Sequence, residues 1–378
     1  MVVRPRSIVW KGKLMSKTIV VKVGSSNLVD LEGRLDLLSL TRLVVELKAL
    51  HTAGYRLVLV TSGAVAAGAQ KVIVAADFCH HRKQLLAAVG QGFLMQKYTS
   101  LFGEYGITVG QILLVREDLD NRRLYLNARE TLLGLLAHSV IPIVNENDVV
   151  TAGSFGGNDL LAAAVAGLVD AEQLVILSNI DGVFAHFPAT AGERPLAQIA
   201  YTDLAGLLLS FATNKTSALG TGGIQTKLEA ARMAAEFGVE TVICNGATSG
   251  VLKLVVDGVP VGTRILAQSS KLEARKRWLL FGVKAKGMIK VDEGALQALV
   301  ERGSSLLAVG IKAVTGKFGR GDAVTICDPD GAEKAVGLIR FTDREIEQIR
   351  GKRSAEIKVI LGESQADEVV HRDDLVLL

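Results

Sequence analysis

The stretch from Ile19 to Val23 restricts the fold most, because it has the character of a buried strand and yet carries a lysine. Valine and isoleucine fill every position except Lys22, which is typical of a buried strand. A buried ammonium is costly unless an anion meets it. Gly24 to Asn27 follow at the carboxyl end, where open α/β sheets bind ligands. Two interpretations compete: these residues face a phosphate, or Lys22 lies on an edge strand and extends to water.

Length and composition place the chain among ordinary globular proteins. Its 378 residues suffice for two or three domains, and a net charge of +4 is too small to indicate a nucleic-acid or membrane partner. Cys79, Cys244 and Cys327 show no CxxC spacing and are typical of reduced thiols in a cytoplasmic protein. No uncharged apolar run reaches the roughly 18 residues of a membrane-spanning helix. We therefore expect a cytoplasmic location.

Changes in composition and charge along the chain predict its domain boundaries. Residues 1–16 are basic and free of acidic side chains, which favours a disordered extension, or a true start at Met15, over the alternative of a targeting segment. A first domain is expected over 17–267, a charged linker over 268–283 and a small, mainly β domain over 284–378. Four strand-like runs mark this last domain: Met288–Val291, Ala323–Cys327, Ala335–Phe341 and Ile357–Leu361. It holds 15 basic and 16 acidic residues, so it lacks the basic surface of a generic nucleic-acid binder.

The first domain alternates strands and helices, which predicts an open, mainly parallel α/β sheet sandwiched by helices. A helix over Asp36–Ala53 precedes a strand at Arg56–Val60 and the turn Thr61-Ser62-Gly63, where a helix over Ala64–Val72 begins. A helix start offers N–H groups to an anion. The alternative is that this turn only caps the helix.

Polar residues also cluster after the strand that ends at Val144. Asn145, Glu146, Asn147 and Asp148 follow it directly, and Asn158-Asp159 opens an alanine-rich helix. Either of the last two residues could act as a helix cap, but capping does not need the first cluster. Cys79, His80 and His81 lack a second ligand pair at suitable spacing, so no metal site is predicted.

Two further segments lie at predicted strand ends or helix starts. Ser178-Asn179 follows a strand at Leu174–Leu177, and the glycine-rich run Gly220–Lys227 leads into a helix. The run matches neither the P-loop nor the G-x-G-x-x-G pattern. It is nevertheless a second lysine-bearing glycine segment on the same α/β unit, and such segments bind phosphates.

Together these residues favour phosphoryl transfer, which needs positioning and positive charge more than covalent help. Lys22 and Lys227 can bridge donor and acceptor, and Asp159 can hold both. The sequence offers no obvious general base. A carboxylate acceptor, with a pKa of about 4.3, needs none because it is already ionised at neutral pH.

Six motifs carry a resemblance to the amino acid kinase family, in particular to the glutamate 5-kinases that have a C-terminal PUA domain. They are Val21–Ser26, Val60–Ala64, Lys83–Gln91, Asn145–Asp148, Gly220–Lys227 and Glu301–Leu306. The resemblance implies transfer of the γ-phosphate of ATP, with Mg²⁺ held mainly through the ATP phosphates, to the side-chain carboxylate of L-glutamate. This is the first step of proline biosynthesis, and the resemblance implies feedback inhibition by proline.

Residue roles follow from the same resemblance. Lys22 and Lys227 are expected to stabilise the transferring group, and Asp159 to organise them. The residues expected to bind glutamate are Ser62, Asp148, Asn158 and Asn145. Those expected to contact ATP are Lys22, Gly24, Ser25, Ser178, Asn179, Thr221, Gly222, Gly223, Ile224, Gln225, Thr226 and Lys227.

The chain departs from the family pattern at several places. Gly157 stands where an acidic residue is usual, Leu160 where a polar one is usual, and the loop between Asp148 and Asn158 is shortened. Ser178-Asn179 replaces a common Thr-Asp, and Phe184–Pro188 replaces a Tyr-Thr-Ala-Asp-Pro stretch. The first two changes bear on glutamate affinity and proline sensitivity.

Other functions and partners stay open at this point. One alternative is a kinase for another carboxylate or for carbamate; another is an RNA-binding role through the PUA domain. The resemblance also implies a homodimer or homotetramer. Because an acyl phosphate is labile, glutamyl phosphate reductase is a candidate partner.

Overall fold

A computed structural model describes residues 17–73, 81–150, 155–185, 192–213, 222–267, 285–362 and 368–378. The predictions for residues 1–16, the linker over 268–283, Cys79 and Thr221 lie outside these residues. The two domain boundaries therefore remain predictions.

The first region is built on an eight-stranded sheet with the strand order β3-β4-β2-β1-β5-β7-β8-β6. Neighbouring strands run parallel except for β7 and β8. The sheet is thus open and mainly parallel, as predicted. Its strands are β1 Thr18–Val23, β2 Arg56–Val60, β3 Val109–Leu114, β4 Ile141–Glu146, β5 Gln173–Ser178, β6 Gln198–Ile199, β7 Glu240–Asn245 and β8 Thr263–Ile265.

Helices cover both faces of this sheet. They are α1 Leu37–Thr52, α2 Ala64–Ala69, α3 Arg82–Gly103, α4 Arg116–Asp120, α5 Arg122–Ala137, α6 Asn158–Leu168, α7 Tyr201–Thr213, α8 Gly222–Glu236 and α9 Val251–Val256. One core cluster holds the buried residues of α1, α3 and α9, and the other those of α5, α6 and α8. Among the described residues, no helix is long and apolar enough to cross a membrane.

The period-two alternation of β1 decides where Lys22 points. Val21 and Val23 lie in the α1–α3 core, whereas Val20 lies in the α6–α8 core. Side chains two apart on a strand share a face, so Lys22 lies on the same face as Val20, below α6. Because β1 pairs with β2 on one side and β5 on the other, it is no edge strand. Lys22 is only 5% exposed, so the solvent-facing interpretation is wrong.

Helices α2 and α3 touch through their backbones at two glycines. A Cβ added at Gly90 would lie 1.8 Å from the carbonyl oxygen of Ala64, and one at Gly68 would lie 1.9 Å from that of Leu86. Only glycine permits this approach. The contact fixes the helix that follows the Thr61–Gly63 turn against the helix that carries Gln91.

The C-terminal region contains a five-stranded sheet with the order β11-β9-β12-β13-β15 and a two-stranded sheet of β10 and β14. The strands are β9 Gly287–Val291, β10 Leu306–Leu307, β11 Ile311–Gly316, β12 Ala323–Cys327, β13 Glu333–Leu338, β14 Glu368–Val370 and β15 Leu375–Leu377. Helices span Glu293–Arg302, Asp343–Ile349 and Ser354–Leu361.

The strand predicted at Ile357–Leu361 is therefore wrong. These residues form the end of the last helix, in which Ile357 and Leu361 pack into the core while Val359 is 86% exposed. A four-residue spacing between inward-facing residues with an exposed residue midway is helical, because a strand would turn all three to one face. The run of β-branched residues hid this spacing.

Candidate active site

A carboxylate held between two lysines forms the centre of the candidate site. Lys22 Nζ lies 2.6 Å from Asp159 Oδ1, and Lys227 Nζ lies 3.1 Å from Asp159 Oδ2. Lys22 comes from β1, Asp159 from the first turn of α6 and Lys227 from the second turn of α8. The structure thus brings together the three residues that the sequence predicted to act together.

Burial and charge act against each other in this cluster. Desolvation lowers the pKa of Lys22, although the charge of Asp159 opposes the shift. Burial alone would raise the pKa of Asp159, but the two ammonium groups outweigh it, so the pKa of this carboxyl lies below its ordinary value. Asp159 is therefore ionised at neutral pH, and the cluster carries one net positive charge when both lysines are protonated.

The start of α6 places Asp159 and its neighbour Asn158. Gly157 precedes the helix with a φ of +134°, a conformation that side chains other than glycine rarely adopt. No side chain caps this helix start, so the capping interpretation of Asn158-Asp159 is wrong. The unusual backbone also gives a physical reason for glycine at position 157, where the family pattern has an acidic residue.

Asn158 joins the ends of two strands. Its Nδ2 lies within hydrogen-bonding distance of three acceptors, which share its two hydrogens: the carbonyl oxygen of Thr61 at 2.6 Å, Ser62 Oγ at 2.9 Å and Asn145 Oδ1 at 2.9 Å. Asn145 in turn donates from Nδ2 to Gln91 Oε1 at 2.9 Å. Three of the predicted glutamate-binding residues, Ser62, Asn145 and Asn158, therefore form one hydrogen-bonded cluster.

The turn before α2 is held by the core rather than by helix capping. Gly63, with a φ of +104°, is the residue before the helix, and no side chain caps it, so the capping interpretation of Thr61 and Ser62 is also wrong. Thr61 Oγ1 instead pairs with the hydroxyl of Tyr98 at 2.7 Å. Burial raises the pKa of Tyr98, which keeps this hydroxyl protonated.

Asp148 lines a cavity together with Gln91. Its Oδ1 lies 3.5 Å from Lys83 Nζ, and its side chain is 15% exposed. The cavity has a volume of about 320 Å³, and its walls include Ala87, Gln91, Glu146, Asn147 and Asp148. An acidic cavity wall of this kind suits a ligand with an ammonium group.

The predicted nucleotide residues lie at neighbouring strand ends and at a helix start. Ser25–Asn27 form a single 3₁₀ turn after β1, and a Cβ added at Gly24 would crowd Lys22 Nζ at 3.2 Å. Ser178 ends β5 and is buried, whereas Asn179 is exposed. Residues from Gly222 onward belong to α8, so the described part of the predicted glycine loop is helical.

Comparison with known proteins identifies the family. The profile of the amino acid kinase family matches residues 17–245, and that of the PUA domain matches 287–361. Glutamate 5-kinase of Salmonella newport is 43% identical over 364 residues, which is 96% of this chain and 99% of the relative; the Salmonella typhimurium enzyme gives the same values.

The chain belongs to the glutamate 5-kinase family.

A solved structure agrees with this assignment at the level of the fold. Carbamate kinase from Giardia lamblia bound to AMP-PNP is 16% identical and has a TM-score of 0.51, covering 67% of this chain and 99% of that one. The two family profiles and the 43%-identical relatives confirm the resemblance inferred from the six motifs, and also the predicted order of an α/β kinase domain followed by a PUA domain.

Two residues that support the site of this glutamate 5-kinase family member escaped the sequence analysis. Tyr98 and Gln91 both lie on α3, and an apolar helix gives no sign of which polar side chains reach a strand end. The motif Lys83–Gln91 was a usable signal for Gln91, since its last two residues are the close-contact glycine and the amide that binds Asn145.

Proposed function

We propose that the protein phosphorylates the side-chain carboxylate of L-glutamate with ATP, forming L-glutamyl 5-phosphate and ADP. The assignment to the glutamate 5-kinase family supports this activity. One observation carries the proposal: Asn158 and Asp159 are consecutive residues. Asn158 binds the polar cluster proposed for the acceptor, and Asp159 binds the two lysines.

The two lysines neutralise the charge of the transferring group. A glutamate γ-carboxylate oxygen bonds to the γ-phosphorus of ATP, and the bond from that phosphorus to the β–γ bridging oxygen breaks. Lys22 and Lys227 stabilise the equatorial and leaving oxygens, and Asp159 holds both ammonium groups in place. No general base is required because the acceptor is already a carboxylate.

The amide cluster and the acidic cavity suit the two ends of glutamate. Ser62 Oγ accepts from Asn158, so its own hydrogen can be donated to the γ-carboxylate, beside the lysines. Asp148, on the cavity wall, suits the ammonium group. Asn145 keeps Asn158 in position between these two parts of the site.

The nucleotide lies along the carboxyl ends of β1 and β5 in this proposal. The ATP phosphates contact Lys22, Gly24 and Ser25. The nucleoside contacts Ser178 and Asn179. The β- and γ-phosphates also contact the segment from Thr221 to Lys227. Within the described parts of the chain, no group of three or more His, Cys, Asp or Glu side chains could hold a metal ion. The family resemblance implies that Mg²⁺ would enter as MgATP, held mainly through the ATP phosphates.

Hydroxylamine trapping tests this function directly. Purified full-length protein with MgATP and millimolar glutamate is expected to give a γ-hydroxamate in an amount that matches the ADP released. A panel with aspartate, glutamine and carbamate is the comparison, because the lysines alone would serve any carboxylate. The proposal fails if glutamate gives no product, or if another acceptor is phosphorylated with higher kcat/KM.

Feedback and assembly extend the proposal. We expect proline to raise the apparent KM for glutamate, and a glutamate titration with and without proline measures this. If proline leaves the KM for glutamate unchanged, the expected feedback inhibition is absent, and the family-atypical residues Gly157 and Leu160 are the first candidates for the cause. We also propose a homodimer or homotetramer, which light scattering tests. Transfer of the labile product to glutamyl phosphate reductase is tested by a coupled assay with the reductase.

A further inference from the structure

The side chain of Gln91 has a donor that no described residue uses. Its Nε2 is buried and has no hydrogen-bond partner, while its Oε1 accepts from Asn145 Nδ2 at 2.9 Å. A buried donor without an acceptor is destabilising, because it has lost its hydrogen bonds to water. Such an atom in a native structure indicates either strain or a missing acceptor.

The direction of this amide is fixed by the groups around it. The carbonyl oxygen of Thr61 can only accept, so Asn158 must present Nδ2 to it, and Asn145 must present Oδ1 to Asn158. The backbone N–H of Glu146, which can only donate, also binds Asn145 Oδ1 at 2.9 Å. Asn145 therefore presents Nδ2 to Gln91, and the unpaired atom of Gln91 is its amide nitrogen.

The position of Gln91 shows where an acceptor can come from. Gln91 and Asp148 line the same cavity of about 320 Å³. The neighbouring Gly90 packs against the backbone of α2, so α3 cannot easily shift to offer another partner. A chain of hydrogen bonds runs from Ser62 through Asn158 and Asn145 to Gln91.

We propose that Gln91 is a specificity-determining residue that donates its Nε2–H to the α-carboxylate of the acceptor amino acid. This inference rests on the proposed function. The ammonium and α-carboxylate of an amino acid share one carbon, so a carboxylate donor is needed close to Asp148, the proposed ammonium partner. Gln91 meets this need because it lines the same cavity as Asp148.

The test compares L-glutamate with its α-amide, in which the α-carboxylate is neutral and the side-chain carboxylate is unchanged. Gln91→Glu keeps an acceptor for Asn145 but replaces the donor by a like charge, and Gln91→Met removes the donor without adding a charge. Gln96 is exposed on the same helix, so Gln96→Glu and Gln96→Met are matched controls.

Both Gln91 variants are expected to raise KM for glutamate by about tenfold or more, because a hydrogen bond to a charged group is lost. KM for MgATP should stay within about twofold. The ratio of kcat/KM for glutamate to that for the α-amide should fall by about tenfold, which a merely structural role would not produce. The Gln96 controls should keep the wild-type ratio.

The outcomes separate the two proposals. A wild-type enzyme that does not phosphorylate glutamate overturns the proposed function, and this inference with it. A wild-type enzyme that does so, with a Gln91→Met or Gln91→Glu variant whose substrate ratio stays within about twofold of wild type, overturns the inference alone. If Gln91→Glu does not fold, Gln91→Met decides the question.

Discussion

Lys22 and Lys227 bind different oxygens of one carboxylate, at 2.6 and 3.1 Å from Asp159 Oδ1 and Oδ2. The width of a carboxylate thus sets the spacing of the two ammonium groups. A pair of lysines held in this way is pre-organised for a phosphoryl group. The two ammonium groups need not move when negative charge develops on the phosphoryl oxygens in the transition state. Loss of one lysine leaves the other still paired with Asp159.

Lys227→Ala should lower kcat by about 100-fold, the usual effect of removing one preorganised transition-state donor. KM for MgATP should change by less than about threefold, because Lys22 and the helix start remain. Steady-state kinetics on the purified variant measure both. Lys253→Ala, at an exposed lysine paired with Asp257 on α9, is the control. Equal kcat for Lys227→Ala and wild type would refute the assigned role.

Asp159→Asn should move the alkaline limb of the pH profile to lower pH. Burial lowers the pKa of Lys22 and the charge of Asp159 raises it, so removing that charge lowers the pKa further. In the proposed mechanism only protonated Lys22 stabilises the phosphoryl group, so kcat/KM for MgATP should fall as pH rises through this pKa. Profiles of kcat/KM report the free enzyme. An alkaline limb that stays in place, or moves to higher pH, would show that the pKa of Lys22 does not set it. Asp257→Asn is the control and should leave the limb unchanged.

Gly90→Ala should destabilise the protein by about 2–3 kcal/mol, because the new methyl group meets the backbone of α2 and must force the helices apart. The residual folded enzyme should also have a raised KM for glutamate, since both Ser62 and Gln91 move. Gly103→Ala, at a position on the same helix with open space, should change stability by less than about 1 kcal/mol. Urea unfolding measures both; equal midpoints would contradict the proposed contact.

Tyr98→Phe should cost about 1 kcal/mol of stability through loss of the buried hydrogen bond to Thr61. Because Thr61 also holds Asn158 through its carbonyl oxygen, KM for glutamate should rise while KM for MgATP stays constant. Tyr105→Phe changes a 43% exposed side chain and serves as the control. A glutamate KM equal to wild type would mean that the turn is held without the hydroxyl.

The parts of the site that lie at strand ends could be predicted from the sequence. Lys22 stands out because a charge is rare in a β-branched run, and Asn145 because the apolar run of β4 stops abruptly before it, although the strand itself continues to Glu146. Parallel strands present their carboxyl ends at one edge, so proximity followed from the order of the elements. The pairing of Lys22, Asp159 and Lys227 was predicted correctly on this basis together with the family resemblance.

The parts carried by helices could not be predicted in the same way. Tyr98 and Gln91 occur within an apolar helix, where their side-chain directions depend on the helix packing and on Gly90. The helix at Ser354–Leu361 was missed because three of its last five residues are β-branched, which local propensity assigns to strands. Tertiary packing decides both cases, and it leaves little trace in a single sequence.

The adjacency of Asn158 and Asp159 has a consequence for how such enzymes can diverge. One peptide bond separates Asn158, whose amide reaches Ser62, from Asp159, whose carboxylate holds the lysines. The covalent geometry of this dipeptide therefore sets the spacing between the acceptor cluster and the lysine pair. Surrounding loops can gain or lose residues, and acceptor preference can change, while that spacing stays the same. A substitution in the acceptor cluster can therefore change which acceptor binds while Asp159 still holds Lys22 and Lys227.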